Sequence, residues 1–134
     1  MVACGGAGKT VPFTDITSSL HGFAPARTTS VKFPNREKFA RFLQKAMPGD
    51  APAVPRIDWA HVQPVLIAPG PRSSTGYALR VVSVRKRDGR LVVTVHERTP
   101  SLGEPVIARV TYPYRLITVP KTSLRLLLHY EGRP

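Results

Sequence analysis

Cysteine, acidic residues and aromatic residues are all scarce in this sequence. Cys4 is the single cysteine among 134 residues, so no disulfide can form within the chain. Only 8 aspartates and glutamates oppose 20 lysines and arginines, which gives a net charge of +12. A surface this basic attracts nucleic acids, anionic lipids or acidic cell-wall polymers, and charge alone does not choose among them. Because aromatic residues make up only 7% of the chain and the basic residues are spread along it, we do not favour sequence-specific nucleic-acid binding.

The sequence also lacks the residue patterns of enzymes and of metal sites. No two of the four histidines lie at the i, i+4 spacing of a zinc-binding pair. Ser73 and Ser74 do not lie in the Gly-x-Ser-x-Gly turn that presents a nucleophilic serine. The Gly-rich run at residues 5–10 has Ala3 where a phosphate-binding loop needs its first glycine, and Pro12 lies where the following helix should continue. We therefore predict a protein that is not an enzyme and that uses no metal, no cofactor and no small-molecule substrate.

A β-hairpin at residues 76–98 is the strongest structural signal. Two β-rich runs meet at the Asp-Gly pair of residues 88–89, and these residues tolerate the positive φ angles of a type I′ turn. In the second run Leu91, Val93 and Val95 share one face, because side chains alternate along a strand. One face is therefore apolar and the other mixed, as is typical of a half-buried antiparallel sheet.

One helix is predicted, at residues 36–46, with Asn35 as its N-cap. Its apolar stripe consists of Phe39, Phe42, Leu43 and Ala46, which recur at helical spacing. Lysines and arginines occupy the other face, a pattern that a membrane-surface helix can also show. At this length we favour a helix that covers a sheet.

Further strands are predicted at residues 28–33, 62–68, 106–110, 116–119 and 124–130. Pro64 suggests that the strand at residues 62–68 lies at a sheet edge or begins after the proline. The fold class is therefore α+β, mainly antiparallel β-sheet with about seven strands and one covering amphipathic helix. We expect residues 1–10 to form a flexible N-terminal tail and residues 11–134 to form a single globular domain.

The N-terminal residues allow two interpretations of Cys4. A short apolar residue and an alanine precede it, as in the lipobox at which a bacterial lipoprotein is acylated. The alternative is an ordinary exposed thiol. The sequence has no run of about 20 apolar residues that could span a membrane as a helix. We expect export to the cell envelope, with lipid attachment at Cys4, or a cytoplasmic location if no signal sequence lies upstream of Met1.

Two distant segments carry a resemblance to a known family. Residues 70–77 form a glycine-bounded loop that ends in Thr-Gly-Tyr before the hairpin, and Pro100 follows the second arm. Residues 111–121 then read Thr-Tyr-Pro-Tyr-Arg-Leu-Ile-Thr-Val-Pro-Lys. In this combination residues 62–122 resemble the C-terminal domain of the protease complex subunit PrcB family. Members of this family are bacterial envelope proteins, commonly exported or lipid-anchored.

The resemblance implies an envelope module that binds or scaffolds another protein, such as an accessory or stabilising subunit of a secreted protease. The alternative function is a basic polyanion-binding domain for nucleic acid, acidic glycan or an anionic lipid surface. The expected partners are accordingly a protease or another envelope protein, or an anionic polymer or membrane surface.

The candidate binding residues are those of the family motif, because loops on a rigid sheet often carry function. They are Arg72, Ser73, Ser74, Thr75, Gly76, Tyr77, Tyr112, Tyr114 and Lys121. A purely structural role is the alternative. In that case Gly76 supplies a backbone conformation open only to glycine, Thr75 and Thr111 cap turns, and the two tyrosines at 77 and 114 pack in the core.

Overall fold

The computed structural model describes residues 8–131, which form eight strands, one α-helix and one short 3-10 helix. Cys4 and its predicted lipidation lie outside the described residues. The strands are β1 (Lys9–Thr10), β2 (Thr14–Asp15), β3 (Thr29–Lys32), β4 (Val62–Ala68), β5 (Ala78–Arg87), β6 (Arg90–Arg98), β7 (Arg115–Pro120) and β8 (Arg125–Glu131). The 3-10 helix is Thr17–Ser19, and the α-helix α1 is Arg36–Ala46. The predicted α+β class is confirmed, with eight strands in place of the expected seven.

The strands form two four-stranded sheets. Sheet I has the order β1-β5-β6-β8, and sheet II has the order β2-β7-β4-β3. All neighbouring strands are antiparallel except β6 and β8, which are parallel. The main hydrophobic core lies between the sheets. It combines residues such as Leu91 and Val93 of sheet I with Val65 and Ile117 of sheet II.

Helix α1 covers the other face of sheet II, as its apolar stripe predicts. Phe39 and Leu43 are buried against Leu66 and Leu116 in a second hydrophobic core. The Asn35 side chain accepts a hydrogen bond from the backbone N–H of Lys38 (2.9 Å), so it caps the first turn. Sheet II is therefore buried on both faces, which explains why β4 is almost uniformly apolar.

The hairpin of β5 and β6 forms as predicted. Asp88 and Gly89 both have positive φ angles, 51° and 73°, as a type I′ turn requires. The register of β5 shifts between Val81 and Ser83, because Val82 is an extra residue with no partner on β6. This bulge reverses the alternation in the second half of β5, so that Val84 is buried.

Pro64 does not mark a sheet edge, because β4 lies between β7 and β3. The Pro64 carbonyl accepts a hydrogen bond from the N–H of Phe33 (3.0 Å), just beyond the end of β3. The nitrogen of a strand residue points to the same side as its carbonyl. The missing Pro64 N–H would therefore face the Phe33 carbonyl, which accepts instead from the buried side-chain amide of Gln63 (2.9 Å).

Two further expectations need correction. Residues 106–110 form an irregular loop and not a strand, because their backbone lies beside the loop at residues 70–77 and not beside a sheet edge. The predicted tail at residues 1–10 also ends too late, since β1 pairs with β5 in antiparallel register. No helix among residues 8–131 is long and apolar enough to cross a membrane.

Candidate functional site

The two segments that carry the family motif lie side by side. Arg72 and Thr111 form an isolated antiparallel bridge, with hydrogen bonds of 2.8 Å in both directions between their backbones. The Thr111 hydroxyl also donates to the Ser74 carbonyl (3.0 Å). The Thr75 hydroxyl accepts from the backbone N–H of Ile107 (2.9 Å), and the Thr75 N–H donates to the Ile107 carbonyl (3.1 Å). Residues 106–111 are therefore held along the loop that leads into β5.

Ser74 and Gly76 are buried beneath this contact. The Ser74 hydroxyl accepts a hydrogen bond from the Gly76 N–H (3.2 Å). A Cβ atom on Gly76 would lie 2.6 Å from a side-chain carbon of Pro100 and 2.6 Å from one of Val106. Gly76 does not have a positive φ angle. Lack of space, and not a special backbone conformation, is thus the reason for glycine at this position.

Arg72 anchors the loop to sheet I. Its guanidinium donates two parallel hydrogen bonds to the Glu97 carboxylate of β6, Nε to Oε2 at 2.5 Å and Nη2 to Oε1 at 2.8 Å. These bonds raise the pKa of Arg72. The guanidinium carbon also lies 5.9 Å from the ring centroid of Tyr77, within range of a cation–π contact. The pair borders a cavity of about 280 Å³ that Tyr130 also lines.

A second ion pair fixes the first half of the loop at residues 99–114, which joins β6 to β7. Arg98, the last residue of β6, donates from Nη2 to Glu104 Oε1 (2.5 Å) and from Nη1 to the Gly76 carbonyl (3.0 Å). Glu104 also accepts from the Ser101 N–H (3.0 Å). The hydrogen bond from Arg98 is the main cause of the lowered pKa of Glu104, and the bond from Ser101 adds to it. The loop that follows β6 is therefore tied to the hairpin at Glu104 and to residues 72–75 at Ile107 and Thr111.

This anchored loop exposes a concentration of apolar side chains. Five of the six large apolar side chains that are exposed among residues 8–131 lie between residues 102 and 112. They are Leu102, Val106, Ile107, Val110 and Tyr112, and we call this group the apolar loop. Ile107 is 61% exposed and Val110 is 57% exposed. Clustered apolar exposure on a monomer is typical of interaction sites.

The predicted site residues divide into three sets. Residues 72–77 lie beside the apolar loop, and Tyr112 belongs to it. Tyr114 instead faces the second core, where its hydroxyl donates to the Leu20 carbonyl (2.9 Å) and its ring meets Phe23 edge to face. Burial raises the pKa of Tyr114.

Lys121 lies far from the rest. It follows the opposite end of β7, where its N–H donates to the His61 carbonyl (3.1 Å). The six residues of β7 separate it from Tyr114 by about 20 Å, at roughly 3.3 Å per residue. It therefore does not belong to a common surface with Arg72 and Tyr112.

Sequence reasoning missed four of the five apolar-loop residues. The sequence predicts a strand that contains Val106, Ile107 and Val110, and it gives Leu102 no role. The available signal was the proline- and glycine-rich frame around them, at residues 99–105 and 113. No group of three or more metal-ligating side chains occurs within residues 8–131.

Comparison with known proteins agrees with the motif. Residues 65–120 match the family model described as PrcB C-terminal. The matched range contains the second half of β4, the hairpin, the apolar loop and β7. Neither the curated proteins nor the solved structures contain a match. The family match confirms the predicted resemblance of residues 65–120 to the PrcB C-terminal domain.

Proposed function

We propose that this domain is a non-catalytic protein-binding module, and that its apolar loop docks a protease in a cell-envelope complex. The observation that carries the proposal is the exposure of Ile107 and Val110 on a loop that is fixed on both sides of them, at Glu104 and at Thr111. A fixed loop loses little conformational entropy when it binds, so its apolar contacts contribute more of their free energy to affinity. The family's name, which refers to a protease complex subunit, supports a protease as the partner.

The chemistry of the loop fits a protein partner. Its exposed large side chains are apolar or tyrosine, and the exposed Arg109 and the Arg98–Glu104 pair add charge along the same loop. Protein interfaces combine apolar and charged groups in this way, and tyrosine is enriched among the residues that dominate affinity.

Copurification with a matched control tests this function. The full-length tagged protein is recovered from its own host, and the bound proteins are quantified by mass spectrometry. Ile107→Asp should reduce the recovered protease by about 10-fold or more, because it places a charge at the centre of an apolar contact. Leu127→Asp changes the sixth exposed large apolar residue, which is 42% exposed on β8 and outside the loop, and should leave the recovery unchanged.

Two results would contradict the proposal. One is equal protease recovery with the Ile107→Asp variant and the wild-type protein. The other is the recovery of no protein except further copies of this chain. Thermal unfolding of both variants shows whether each is folded before the comparison is made.

We also propose that the protein is exported and anchored through an acylated Cys4. The lipobox-like residues before Cys4 and the family resemblance support this location. Cell fractionation of the full-length gene product tests it. The wild-type protein should fractionate with membranes and a Cys4→Ser variant should not, whereas recovery of the wild-type protein in the cytosol would contradict export.

A further inference from the structure

The outer face of sheet I, which points away from the main core, carries a row of arginines. Arg87 on β5 lies opposite Arg90 on β6, and Arg90 lies beside Arg125 on β8. Adjacent strands are about 4.8 Å apart, so these three arginines span about 10 Å across the sheet. Arg85 and Arg80 follow along β5 on the same face, opposite Val92 and His96. We call these five arginines the arginine face.

The bulge in β5 assembles this face. Strict alternation from the buried Leu79 would point residues 85 and 87 into the core. The extra residue Val82 reverses the alternation, so that Val84 points inward and Arg85 and Arg87 point outward beside Arg80. The bulge at Val82 thus places Arg80, Arg85 and Arg87 on one face, whereas a regular strand would put Arg80 on the opposite face from the other two.

Few acidic groups neutralise the arginine face. Arg87 lies 3.7 Å from the Asp88 carboxylate, and both side chains are exposed. Arg85 donates to the Thr10 hydroxyl (3.3 Å), a neutral group. In the part of the chain that the structure describes, neither Arg90 nor Arg125 forms an ion pair. Like charges directly opposite each other destabilise a sheet, so the row of arginines lowers the stability of the fold. An anionic ligand bound across the row would reduce this repulsion.

The same face forms a groove of about 640 Å³. Arg85, Arg87, Asp88 and Arg90 line one end, and Thr94, His129 and the single further carboxylate of the lining, Glu131, line the other. We therefore place the anion site at the arginine end. Val82, Val92 and Leu127 lie among them. No phenylalanine, tyrosine or tryptophan lines the groove among the described residues.

We propose that this groove binds a linear phosphodiester polymer without bases, of the poly(glycerol phosphate) kind. Arginine recognises phosphate oxygens through two parallel hydrogen bonds. Three arginines and no lysine line the groove, and Arg125 lies beside Arg90 on the next strand. A chain of phosphates can follow a groove, whereas a flat bilayer cannot enter one. Single-stranded nucleic acids usually need aromatic rings on which their bases stack, and the groove offers none. The site is separate from the apolar loop and does not depend on the proposed protein partner.

Direct binding measurements test the proposal on the full chain. The probe is short poly(glycerol phosphate), titrated at several salt concentrations by calorimetry. The triple variant Arg87→Gln, Arg90→Gln and Arg125→Gln should weaken binding by at least about 10-fold and should reduce the log–log salt slope by about 2, as for three lost phosphate contacts. Its stability should equal or exceed that of the wild-type protein, because the removed charges repel one another.

A control of equal charge is available on helix α1. The triple variant Arg36→Gln, Lys38→Gln and Arg41→Gln removes three exposed cations from another surface and should change the affinity by less than about 3-fold. Equal weakening by both triple variants would overturn the proposal, because binding would then follow net charge alone.

Two competing ligands decide the identity of the occupant. A single-stranded oligonucleotide with the same number of phosphates should bind more weakly than poly(glycerol phosphate), and tighter binding would overturn the choice of a base-free polymer. Vesicles that contain phosphatidylglycerol should also bind more weakly per phosphate. Binding to vesicles without binding to the free polymer would mean that the face contacts a membrane, and this result too would overturn the proposal.

Discussion

Replacing Gly76 with alanine should displace the apolar loop from the hairpin. The added Cβ would lie 2.6 Å from a carbon of Pro100 and 2.6 Å from a carbon of Val106. Carbon atoms in contact lie about 3.5–4.0 Å apart, so each neighbour must move by about 1 Å. Overpacking of this kind usually costs about 1–3 kcal/mol, and we expect a loss of about 2 kcal/mol in the free energy of unfolding.

Hydrogen exchange separates a displaced loop from a general loss of stability. The backbone amides of Thr75, Ile107 and Thr111 join the two segments, so they should exchange faster in the Gly76→Ala variant. Gly89→Ala is the control. Gly89 has a φ angle of +73° and no atoms close to its Cβ position, so alanine there costs about 1–2 kcal/mol through backbone strain alone.

The two variants should therefore lose a similar free energy of unfolding, but only Gly76→Ala should speed hydrogen exchange at these three amides. Urea unfolding gives the free energies, and the three amides report the loop. A loss below about 0.5 kcal/mol for Gly76→Ala, with unchanged exchange at these amides, would refute the claim that the loop is held close against Gly76.

Three further substitutions test the framework around the site. Phe39→Ala should lower the free energy of unfolding in urea by about 3–5 kcal/mol, because the fully buried ring of Phe39 has its centroid 4.7 Å from that of Phe33. A loss below about 1–2 kcal/mol would contradict this packing. Glu97→Gln should cost about 1–3 kcal/mol, because it leaves the half-buried guanidinium of Arg72 without its carboxylate. Burial raises the pKa of Tyr114 above its ordinary value of 10.0. The neutral phenol therefore contributes its full stability below pH 10.0, and this contribution is lost as the pH rises through the raised pKa. When the pH is raised through this range, the unfolding midpoint should therefore fall less in the Tyr114→Phe variant than in the wild-type protein. An equal fall in both proteins would contradict the burial of the phenol.

Much of the fold could be predicted because local signals and tertiary structure agree. Asn35 and the apolar stripe predict α1 to the residue, and the Asp-Gly pair at 88–89 predicts the hairpin turn. The continuous apolar run at 62–68 predicts β4, although Pro64 suggests an edge position. That expectation fails because a side-chain amide, Gln63, supplies the hydrogen bond that the proline cannot.

The two proposed binding surfaces were harder to predict, because both depend on long-range contacts. Residues 106–110 have the composition of a strand, but composition does not show whether a neighbouring strand is available. The backbone of Ile107 bonds to Thr75 instead, and its side chain remains exposed. The arginine face depends on the bulge at Val82 and on the parallel pairing of β8 with β6, and neither has a clear local signal.

Residue-specific photo-crosslinking in the native host tests the central claim that the apolar loop docks a partner protease. A photoreactive amino acid at position 107 places the reactive group at the centre of the loop, and the same amino acid at position 41 on exposed α1 is the control. We predict a crosslink from position 107 to a protease and none from position 41. The same products at both positions, or products from position 107 that contain only copies of this chain, would contradict the account.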